Sequence, residues 1–254
     1  MVNSATEKNI LPLFKRTYGD VVQGTVSRHG GQSQAPFAGN NISFGVGDNE
    51  ESVRRNRAQI KKDLGVEYLV SAGQVHGDRV VCITAAINED SIIDACDALV
   101  TNRAGVGLMI GHADCQAILL YDPVRRVIAA IHSGWRGSVA NIAARTVQVM
   151  QDKYGCVPAD LEAGVSPSLG PCCSEFVNYR EELPRSFWRY LVKENYFDFW
   201  QITFQQLVKS GVRHNAIHIS SICTSCSVDY FSYRRACRVK GGITGRNGTV
   251  IAML

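Results

Sequence analysis

Three short segments of the sequence hold side chains that could bind a metal ion. His76 lies in residues 73–77, Cys115 ends residues 111–115, and His132 begins the segment His-Ser-Gly-Trp-Arg-Gly. Each segment follows an apolar run that predicts a strand, and strand ends are where α/β sheets commonly build sites. Two histidines and one cysteine at one point would form a zinc site with an open fourth position, as is typical of catalytic zinc.

The positions of these three residues leave other interpretations open. They lie too far apart for a local metal-binding finger, so only the tertiary fold could bring them together. A histidine after a strand is often a structural hydrogen-bonding residue, and a cysteine beside a buried strand is usually inert packing. The spacing alone therefore does not decide between a metal site and three structural residues.

A glycine-rich turn follows His132 and precedes a helix expected to begin near Ser138. The backbone N–H groups from Gly134 to Gly137, the helix dipole and the Arg136 guanidinium would together favour an anion such as phosphate or a carboxylate. The alternative is a tight turn in which Trp135 packs on the core and Arg136 forms an ion pair.

Nine cysteines are unusual for a chain of this length, and a cytosolic chain rarely uses them in disulfides. Cys223 and Cys226 form a single CxxC pair. Cys172 and Cys173 are adjacent rather than spaced as a second CxxC, so the sequence does not predict a four-thiolate zinc site. A thioredoxin-like role would require the CxxC at a helix start after a βαβ unit. The sequence assigns no function to these four cysteines.

Residues 229–235 combine three aromatic side chains with two arginines. Such a segment could stack a planar ligand and contact its anionic part through Arg235. It could equally be an aromatic loop packed on the domain.

The elements that must position these residues indicate an α/β protein. The 254 residues are 45% hydrophobic and 20% charged, which excludes disorder and predicts one folded domain over residues 1–254. Helical spacing is expected over 52–64, for about four turns from residue 138, and over 174–191 and 204–210. Short apolar runs predict strands over 21–27, 68–72, 80–84, 106–110, 116–121, 127–131, 161–165, 217–221 and 249–254.

Charge and hydropathy favour a cytoplasmic enzyme without a nucleic-acid or membrane partner. The net charge is +4, and the basic residues are scattered rather than concentrated in one dense patch. The longest apolar runs have five residues, whereas a helix needs about 18–20 to cross a bilayer. The first residues show no basic start followed by an apolar stretch, so we predict no signal peptide.

Taken in order, the motifs closely resemble those of the bacterial YfiH-like family, also known as laccase-domain polyphenol oxidases and later described as purine nucleoside phosphorylases. The resemblance runs from residue 27 to the end of the chain. It departs at His112, where relatives commonly have threonine or another small residue, and at Ser133, where alanine is commoner. The motifs are Gln-Val-His-Gly at 74–77, Asp-Ala-Leu-Val-Thr at 97–101, Ala-Asp-Cys at 113–115, His-Ser-Gly-Trp-Arg-Gly at 132–137, Gly-Pro-Cys-Cys at 170–173, Cys-Thr-Ser-Cys at 223–226, Phe-Ser-Tyr-Arg-Arg at 231–235 and Gly-Arg at 245–246.

The resemblance implies a single domain of layered mixed β-sheets flanked by helices, similar to cytotoxic-necrotising-factor-type cysteine hydrolases. It also implies a metal held by His76, Cys115 and His132, which we expect to be zinc, with copper as the alternative. The implied reactions are phosphorolysis of adenosine, inosine, guanosine and methylthioadenosine, and deamination of adenosine. The implied partners are a purine nucleoside and phosphate, and the sequence indicates no oligomeric state.

Catalytic and substrate-binding residues can be proposed on this basis. The three ligands and Asp114, as proton carrier, would be catalytic. Phosphate would be bound by Arg57, by Arg136 and by the backbone from Gly134 to Gly137. Gln74 and Asn41 could orient ribose or base.

Three other functions remain open from the sequence. A copper oxidase is one, although six histidines are too few for a multicopper enzyme; a lone site with two histidines and a cysteine could still hold copper. A second is a metal-free cysteine hydrolase acting on an amide such as a cell-wall precursor, with Cys115 as nucleophile and His132 as base. A third is a purine-binding module without turnover that uses residues 230–235.

Overall fold

The computed structural model describes residues 9–239 and 241–254, and these contain both strands and helices. The strands are β1 (Ile10–Leu11), β2 (Val21–Val26), β3 (Tyr68–Gly73), β4 (Val80–Cys82), β5 (Ser91–Asp94), β6 (Ala98–Thr101), β7 (Val106–His112), β8 (Gln116–Asp122), β9 (Val127–Ser133), β10 (Glu162–Val165), β11 (Leu191–Lys193), β12 (Tyr196–Phe197), β13 (Ile217–Ile219) and β14 (Asn247–Met253). The α-helices are α1 (Glu50–Leu64), α2 (Trp135–Val139), α3 (Ile142–Tyr154), α4 (Tyr179–Glu182), α5 (Phe199–Lys209) and α6 (Tyr233–Val239).

Two six-stranded sheets form the centre of the fold, and each combines parallel with antiparallel pairs. The first has the order β1-β2-β14-β7-β3-β5, in which β3 runs parallel to both β7 and β5. The second has the order β13-β10-β8-β9-β6-β4, with parallel pairs at its two ends. Strands β11 and β12 form a separate hairpin. The predicted architecture of layered mixed sheets flanked by helices is confirmed.

The central strands are apolar at consecutive positions because their side chains alternate between two faces that are both covered. In β8, Leu119 and Tyr121 pack in the core that the two sheets share. Ile118 and Leu120 contact the helices on the other face of the second sheet. Because successive side chains of a strand point to opposite faces, and both faces are covered, nearly every position needs an apolar side chain.

Helices cover the outer faces of both sheets and complete a helix–sheet–sheet–helix order. Helix α1 packs Ile60 and Leu64 on the first sheet, and α3 and α5 cover the second. Helix α1 starts at Glu50 because the Asn49 side chain accepts a hydrogen bond from the Ser52 amide, and Gly65 ends it in the left-handed conformation. No helix in the described part of the chain is long and apolar enough to span a membrane.

Two of the helix predictions are wrong. Residues 174–191 contain only the short α4 and a 3₁₀ turn, Arg185–Tyr190, separated by Pro184, which lacks an N–H and disfavours helix in the residue before it. The helix expected from residue 138 is two helices, because Asn141 between them has a φ of 58° and caps α3 by accepting a hydrogen bond from Ala144.

The sequence analysis also missed elements, chiefly β5, β6 and α6. Strand β6 has only four residues, all buried, and it pairs with β9 on one side and β4 on the other. A run this short carries no periodicity that separates a strand from a buried turn. Its position matters because Asp97, immediately before β6, lies at the site described below.

Candidate metal centre

The structure brings together His76, Cys115 and His132. His76 lies in the loop after β3, Cys115 in the turn between β7 and β8, and His132 within β9. Their ligand atoms lie within 4.8 Å of one another, and Cys115 Sγ is 4.0 Å from His76 Nε2. His76 is exposed, Cys115 is partly buried and His132 is buried. The cluster therefore opens to solvent on the His76 side.

A buried carboxylate, Asp97, holds both histidines in place. Its Oδ1 accepts a hydrogen bond of 2.7 Å from His132 Nδ1, and its two oxygens also accept from the backbone amides of residues 75, 76 and 77. These bonds hold His76 at a φ of 62°, which is unfavourable for a residue other than glycine. Burial would raise the pKa of Asp97, but the hydrogen bonds from His132 and the backbone amides lower it.

Asp97 belongs to the Asp-Ala-Leu-Val-Thr motif, but its sequence context predicted no function for it. Its signal was a charged residue at the very start of an apolar run, where a carboxylate is fully buried only if it is paired. Histidines that bind metals usually donate their second ring N–H to such a carboxylate. Asp97 therefore belongs to the site as a positioning residue.

The protonation of Cys115 and His132 is set by their proximity. Burial alone would raise the pKa of Cys115, but the charge and hydrogen bonds of His132 and His76 lower it to about 6. Burial would lower the pKa of His132, whereas the Cys115 thiolate and Asp97 raise it to about 9. Without a metal the pair is a thiolate and an imidazolium at neutral pH. A thiolate is also the form of cysteine that binds metals.

Gly134 leaves the space that the cluster needs. A β-carbon at this position would lie 3.0 Å from His76 Cδ2 and 3.2 Å from Cys115 Sγ. Gly137, one turn on, lies close to the Gly77 carbonyl, where a β-carbon would be 3.3 Å from the oxygen. The two glycines allow the backbone after β9 to pass directly against the three candidate ligands.

An aromatic cavity of about 220 Å³ reaches Cys115. Its walls include Trp135, Phe176 and Phe199, whose side chains form a packed aromatic group. Asp114 also lines it, with one carboxylate oxygen accepting a bond from Thr224 Oγ1 and the other from the Arg234 amide, each 2.6 Å long. The cavity is suited to a flat, mostly apolar ring.

A second cavity, of about 380 Å³, reaches His76 and is lined by two arginines. Arg57 is buried, and burial lowers its pKa; its guanidinium donates to Ser71 Oγ. Arg246 donates to the carbonyls of Thr244 and Gly245, and burial lowers its pKa as well. Among the described residues, neither guanidinium lies within 4 Å of a carboxylate. Two arginines that line a cavity and form no direct ion pair favour an anionic ligand.

Gln74 and Asn41 are held in fixed positions near this second cavity. Gln74 lines it, and its amide forms two hydrogen bonds with the backbone of Gly111. Asn41 accepts a bond from the Arg246 amide and donates to Asp48 Oδ2, so it shapes the loop that carries Arg246. The sequence analysis missed Arg246, whose only signal was the Gly-Arg motif near the end of the chain.

The other two predicted arginines, Arg136 and Arg235, line neither cavity. Arg136 is exposed, and its guanidinium carbon lies 4.7 Å from the centre of the Trp135 ring. Arg235 donates to four backbone carbonyls, those of Thr224, Ser225, Ser227 and Tyr230. Its neighbour Arg234 lines the aromatic cavity instead.

The remaining four histidines are not part of the candidate ligand cluster. His112 is fully buried, and its Nε2 is 2.8 Å from Thr249 Oγ1. Burial, with the nearby charges of His132 and Arg246, lowers the pKa of His112 to about 3, so it is neutral. His29 contacts Asp229, His218 contacts the Leu13 carbonyl, and His214 packs on Phe204.

A second group of candidate ligands contradicts an expectation from the sequence. Cys172, Cys173, Cys223 and Cys226 place their sulfur atoms within 4.8 Å of one another. The adjacent pair 172–173 was not expected to join the CxxC pair, because sequence spacing describes only local geometry. The fold brings the two loops together, and they meet beside the aromatic cavity.

Comparison with known families identifies the class of this chain. Residues 22–254 match the family described as "Multi-copper polyphenol oxidoreductase laccase". The chain belongs to this family, as the motifs predicted.

Individual relatives carry a different description. "Purine nucleoside phosphorylase YlmD" of Geobacillus stearothermophilus is 32% identical over 90% of this chain and 89% of its own length. "Purine nucleoside phosphorylase ORF3" of Streptomyces griseus is 34% identical over 86% of this chain and 90% of its own. The crystal structure of the hypothetical protein YfiH from Bacillus licheniformis superposes with a TM-score of 0.84 at 30% identity, covering 95% of this chain and 99% of that one.

Proposed function

We propose that this chain is a zinc-dependent purine nucleoside phosphorylase that also deaminates adenosine. Its substrates are adenosine, inosine, guanosine and S-methyl-5′-thioadenosine. The observation that carries the proposal is that an aromatic cavity and an arginine-lined cavity both reach the His76, Cys115 and His132 cluster. The relatives named purine nucleoside phosphorylase support the same activity.

The donor set of the cluster fits zinc. Two imidazole nitrogens and one thiolate are ligands that zinc commonly takes, and three protein ligands leave one position open. Because His132 Nδ1–H donates a hydrogen bond to Asp97, Nε2 is the ring nitrogen left for an ion, and loss of its proton on metal binding would give it a free lone pair. When bound, zinc would supply a Lewis-acid centre at the junction of the two cavities.

In phosphorolysis a phosphate oxygen attacks the sugar C1′ and the bond from C1′ to the purine nitrogen breaks. The base leaves with the electron pair and takes up a proton. Arg57 and Arg246 would bind the attacking phosphate, since their guanidinium groups have no carboxylate partner among the described residues. Arg136 and the backbone from Gly134 to Gly137 remain further predicted phosphate contacts.

The purine would lie in the aromatic cavity, against Trp135 and Phe176. We assign Asp114, on the wall of the same cavity, to proton transfer with the base. In deamination, water replaces the amino group of adenosine and ammonia leaves, so the same carboxylate would move the protons. Gln74 would orient the substrate directly, whereas Asn41 and Arg235 would act by holding the loops around it.

Incubation of the purified protein with inosine, with and without phosphate, tests the proposal. Chromatography should show hypoxanthine and ribose 1-phosphate only when phosphate is present. Release of base at the same rate without phosphate, or no release at all from zinc-loaded protein, would show that the proposal is wrong. Ammonia release from adenosine tests the deaminase activity separately.

Two matched variants test the phosphate contacts. Arg57→Met should raise the KM for phosphate by about tenfold or more, because a hydrogen-bonded charge typically contributes about 1.5–3 kcal/mol. Arg136→Met should change it much less, because Arg136 is exposed over Trp135. The opposite ranking would move the phosphate site to the turn after β9.

A second candidate function has a specific observation in its favour. The order Cys115, His132, Asp97 corresponds to a nucleophile, a base and a carboxylate that orients the base. Such an arrangement could hydrolyse an amide, for example in a peptidoglycan precursor, through a thioester to Cys115. Activity that survives complete metal removal but is lost on alkylation of Cys115 would favour the hydrolase over the phosphorylase.

Copper oxidation of phenols remains the third alternative, since the family description names it. All six histidines lie in the described residues, and only His76 and His132 join a candidate metal group. A cluster of several coppers would need more histidines in one place. Metal analysis of protein purified without added copper separates the alternatives, with stoichiometric copper and phenol turnover favouring the oxidase.

A further inference from the structure

We propose that Cys172, Cys173, Cys223 and Cys226 form a second metal site, which holds a structural zinc ion. The four cysteines belong to two loops, 170–174 and 223–227, that are separated in sequence by α4, α5 and three strands. They are distinct from the three ligands of the candidate catalytic centre. The proposed site is independent of which reaction that centre carries out.

The distances between the sulfur atoms match those around a tetrahedral ion. Cys226 Sγ lies 3.5 Å from Cys173 Sγ and 3.7 Å from Cys172 Sγ, and all four sulfurs lie within 4.8 Å of one another. A zinc–sulfur distance of about 2.3 Å places neighbouring sulfurs about 3.8 Å apart. The group is therefore already close to the size of a zinc tetrathiolate.

The local backbone is built to bring the two loops together. The amides of Cys226 and Ser227 both donate to the Cys223 carbonyl, forming the tight turn of the CxxC segment. Gly170 lets the other loop approach, because a β-carbon there would lie 3.0 Å from Cys223 Cβ and 2.8 Å from the Trp200 ring. The amides of Cys173 and Ser174 donate to the Gly170 carbonyl and turn the adjacent cysteines toward the pair.

The arrangement favours one metal ion over disulfides or an iron–sulfur cluster. Cys226 is within 4 Å of two other sulfurs, so no exclusive pairing is set up. An iron–sulfur cluster binds cysteines on different irons, which spreads the ligand sulfurs beyond the 4.8 Å found here. All four cysteines could be thiolates at this spacing only with a cation between them, because its charge would offset their repulsion.

An ion at this position would fix one wall of the aromatic cavity. Ser174 lines that cavity and directly follows Cys173. Thr224, between Cys223 and Cys226, donates its hydroxyl to Asp114, the neighbour of Cys115. The second ion would thus support the loop that carries Asp114 and Cys115, without contacting the substrate.

Metal analysis of three proteins tests the proposal. The double variant Cys172→Ser with Cys226→Ser should contain one zinc equivalent fewer than the wild type, and both substituted residues are exposed, so the core is undisturbed. The double variant His76→Ala with Cys115→Ala should also lose one equivalent but keep the other. Replacing zinc with cobalt should give the intense sulfur-to-cobalt charge-transfer bands of a tetrathiolate in the second variant and not in the first.

Two further variants keep the test decisive. Cys226→His should retain the ion, because histidine can replace one thiolate in a structural zinc site. Cys237→Ser, at an exposed cysteine outside both groups, should leave the zinc content unchanged. Unchanged zinc in the Cys172/Cys226 variant, a disulfide between these cysteines in protein alkylated during lysis, or bound iron would overturn the proposal. Because the readout is metal content, its failure is distinct from a failure of the proposed phosphorylase activity.

Discussion

At the scale of single residues, the site depends most on Asp97, a buried carboxylate that contacts no solvent. Its bonds to His132 and to three consecutive amides fix both the ring of one histidine and the backbone of the other. One side chain therefore sets the geometry of two candidate ligands. A substitution of Asp97 should therefore weaken metal binding without removing a ligand.

Asp97→Asn should lower zinc affinity about 10- to 100-fold, the usual loss when the residue that orients a metal-binding histidine is changed. Competition with a chromogenic chelator measures the affinity. Asp94→Asn, at an exposed carboxylate three residues earlier, serves as the matched control. Equal zinc affinity in both variants would mean that Asp97 does not orient the ligands.

The pKa of Cys115 predicts how the metal-free protein reacts. Because the pKa is lowered to about 6, the thiolate dominates at pH 7, so the rate of alkylation by iodoacetamide should level off above about pH 7 and fall about tenfold per pH unit below 6. In His132→Gln the favourable charge is removed, and the rate should keep rising beyond pH 8. Mass spectrometry of the labelled Cys115 peptide gives both profiles.

The sequence could identify the three candidate ligands but not the groups that tune them. His76, Cys115 and His132 each stand beside an apolar run and a glycine or aspartate, which is a local pattern. Asp97 and Arg246 reach the site only through the tertiary fold, and the weak local signals beside them do not point to this centre. The four-cysteine group was missed for the same reason, since its two halves become neighbours only in the folded chain.

At the scale of elements, the turn from β9 into α2 leaves little space beside the candidate ligands. Gly134 begins this turn, and atoms of all three candidate ligands lie within 4 Å of the place where its β-carbon would be. The turn can lie directly against the cluster because Gly134 has no side chain. Close packing requires glycine in this turn, whereas the sequence suggested that the glycines serve anion binding.

Gly134→Ala should weaken metal binding with little change in secondary structure. The added methyl group would press on the His76 ring and on Cys115 Sγ, so the ligands must separate. Gly19→Ala is the control, because a β-carbon there meets nothing within 4 Å. Titration with zinc followed by calorimetry compares the two, and equal affinities would show that the turn has room to move.

Helices and strands could be predicted where the hydrophobic pattern was long, and the predictions failed where that pattern was short. Helix α1 and strands β7 to β9 could be placed within a few residues, because the helix is amphipathic over several turns and each strand contains a run of about five apolar or glycine residues. The segment 174–191 misled because its aromatic side chains have helical spacing. In the fold they pack as a separate cluster around Phe187 and Phe197, on turns and a hairpin.

At the scale of the whole molecule, the two sheets share one core, and the candidate centre lies where both contribute loops. His76 and Cys115 follow strands β3 and β7 of the first sheet, whereas His132 lies on β9 of the second. The site thus depends on how the two sheets pack. Changes in the shared core should affect stability and site together.

Leu119→Ala should lower the free energy of unfolding by about 2–5 kcal/mol, the usual cost of removing a fully buried leucine side chain. Leu119 is completely buried between the sheets. Val124→Ala, at a residue 69% exposed in the turn after β8, should change it by less than about 0.5 kcal/mol. Urea unfolding followed by circular dichroism measures both, and equal midpoints would contradict a shared core.

The position of β14 has a consequence for how this protein is made. It lies between β2 and β7, and Thr25 hydrogen-bonds Thr249 across 224 residues of sequence. The amino end of a growing chain leaves the ribosome first. Strands β2 and β7 therefore have no β14 to pair with until nearly all other elements have emerged. During that interval each presents an unpaired edge that invites association with other chains. The strand order of the first sheet therefore predicts that the growing chain is more prone to associate with other chains before β14 pairs than after it.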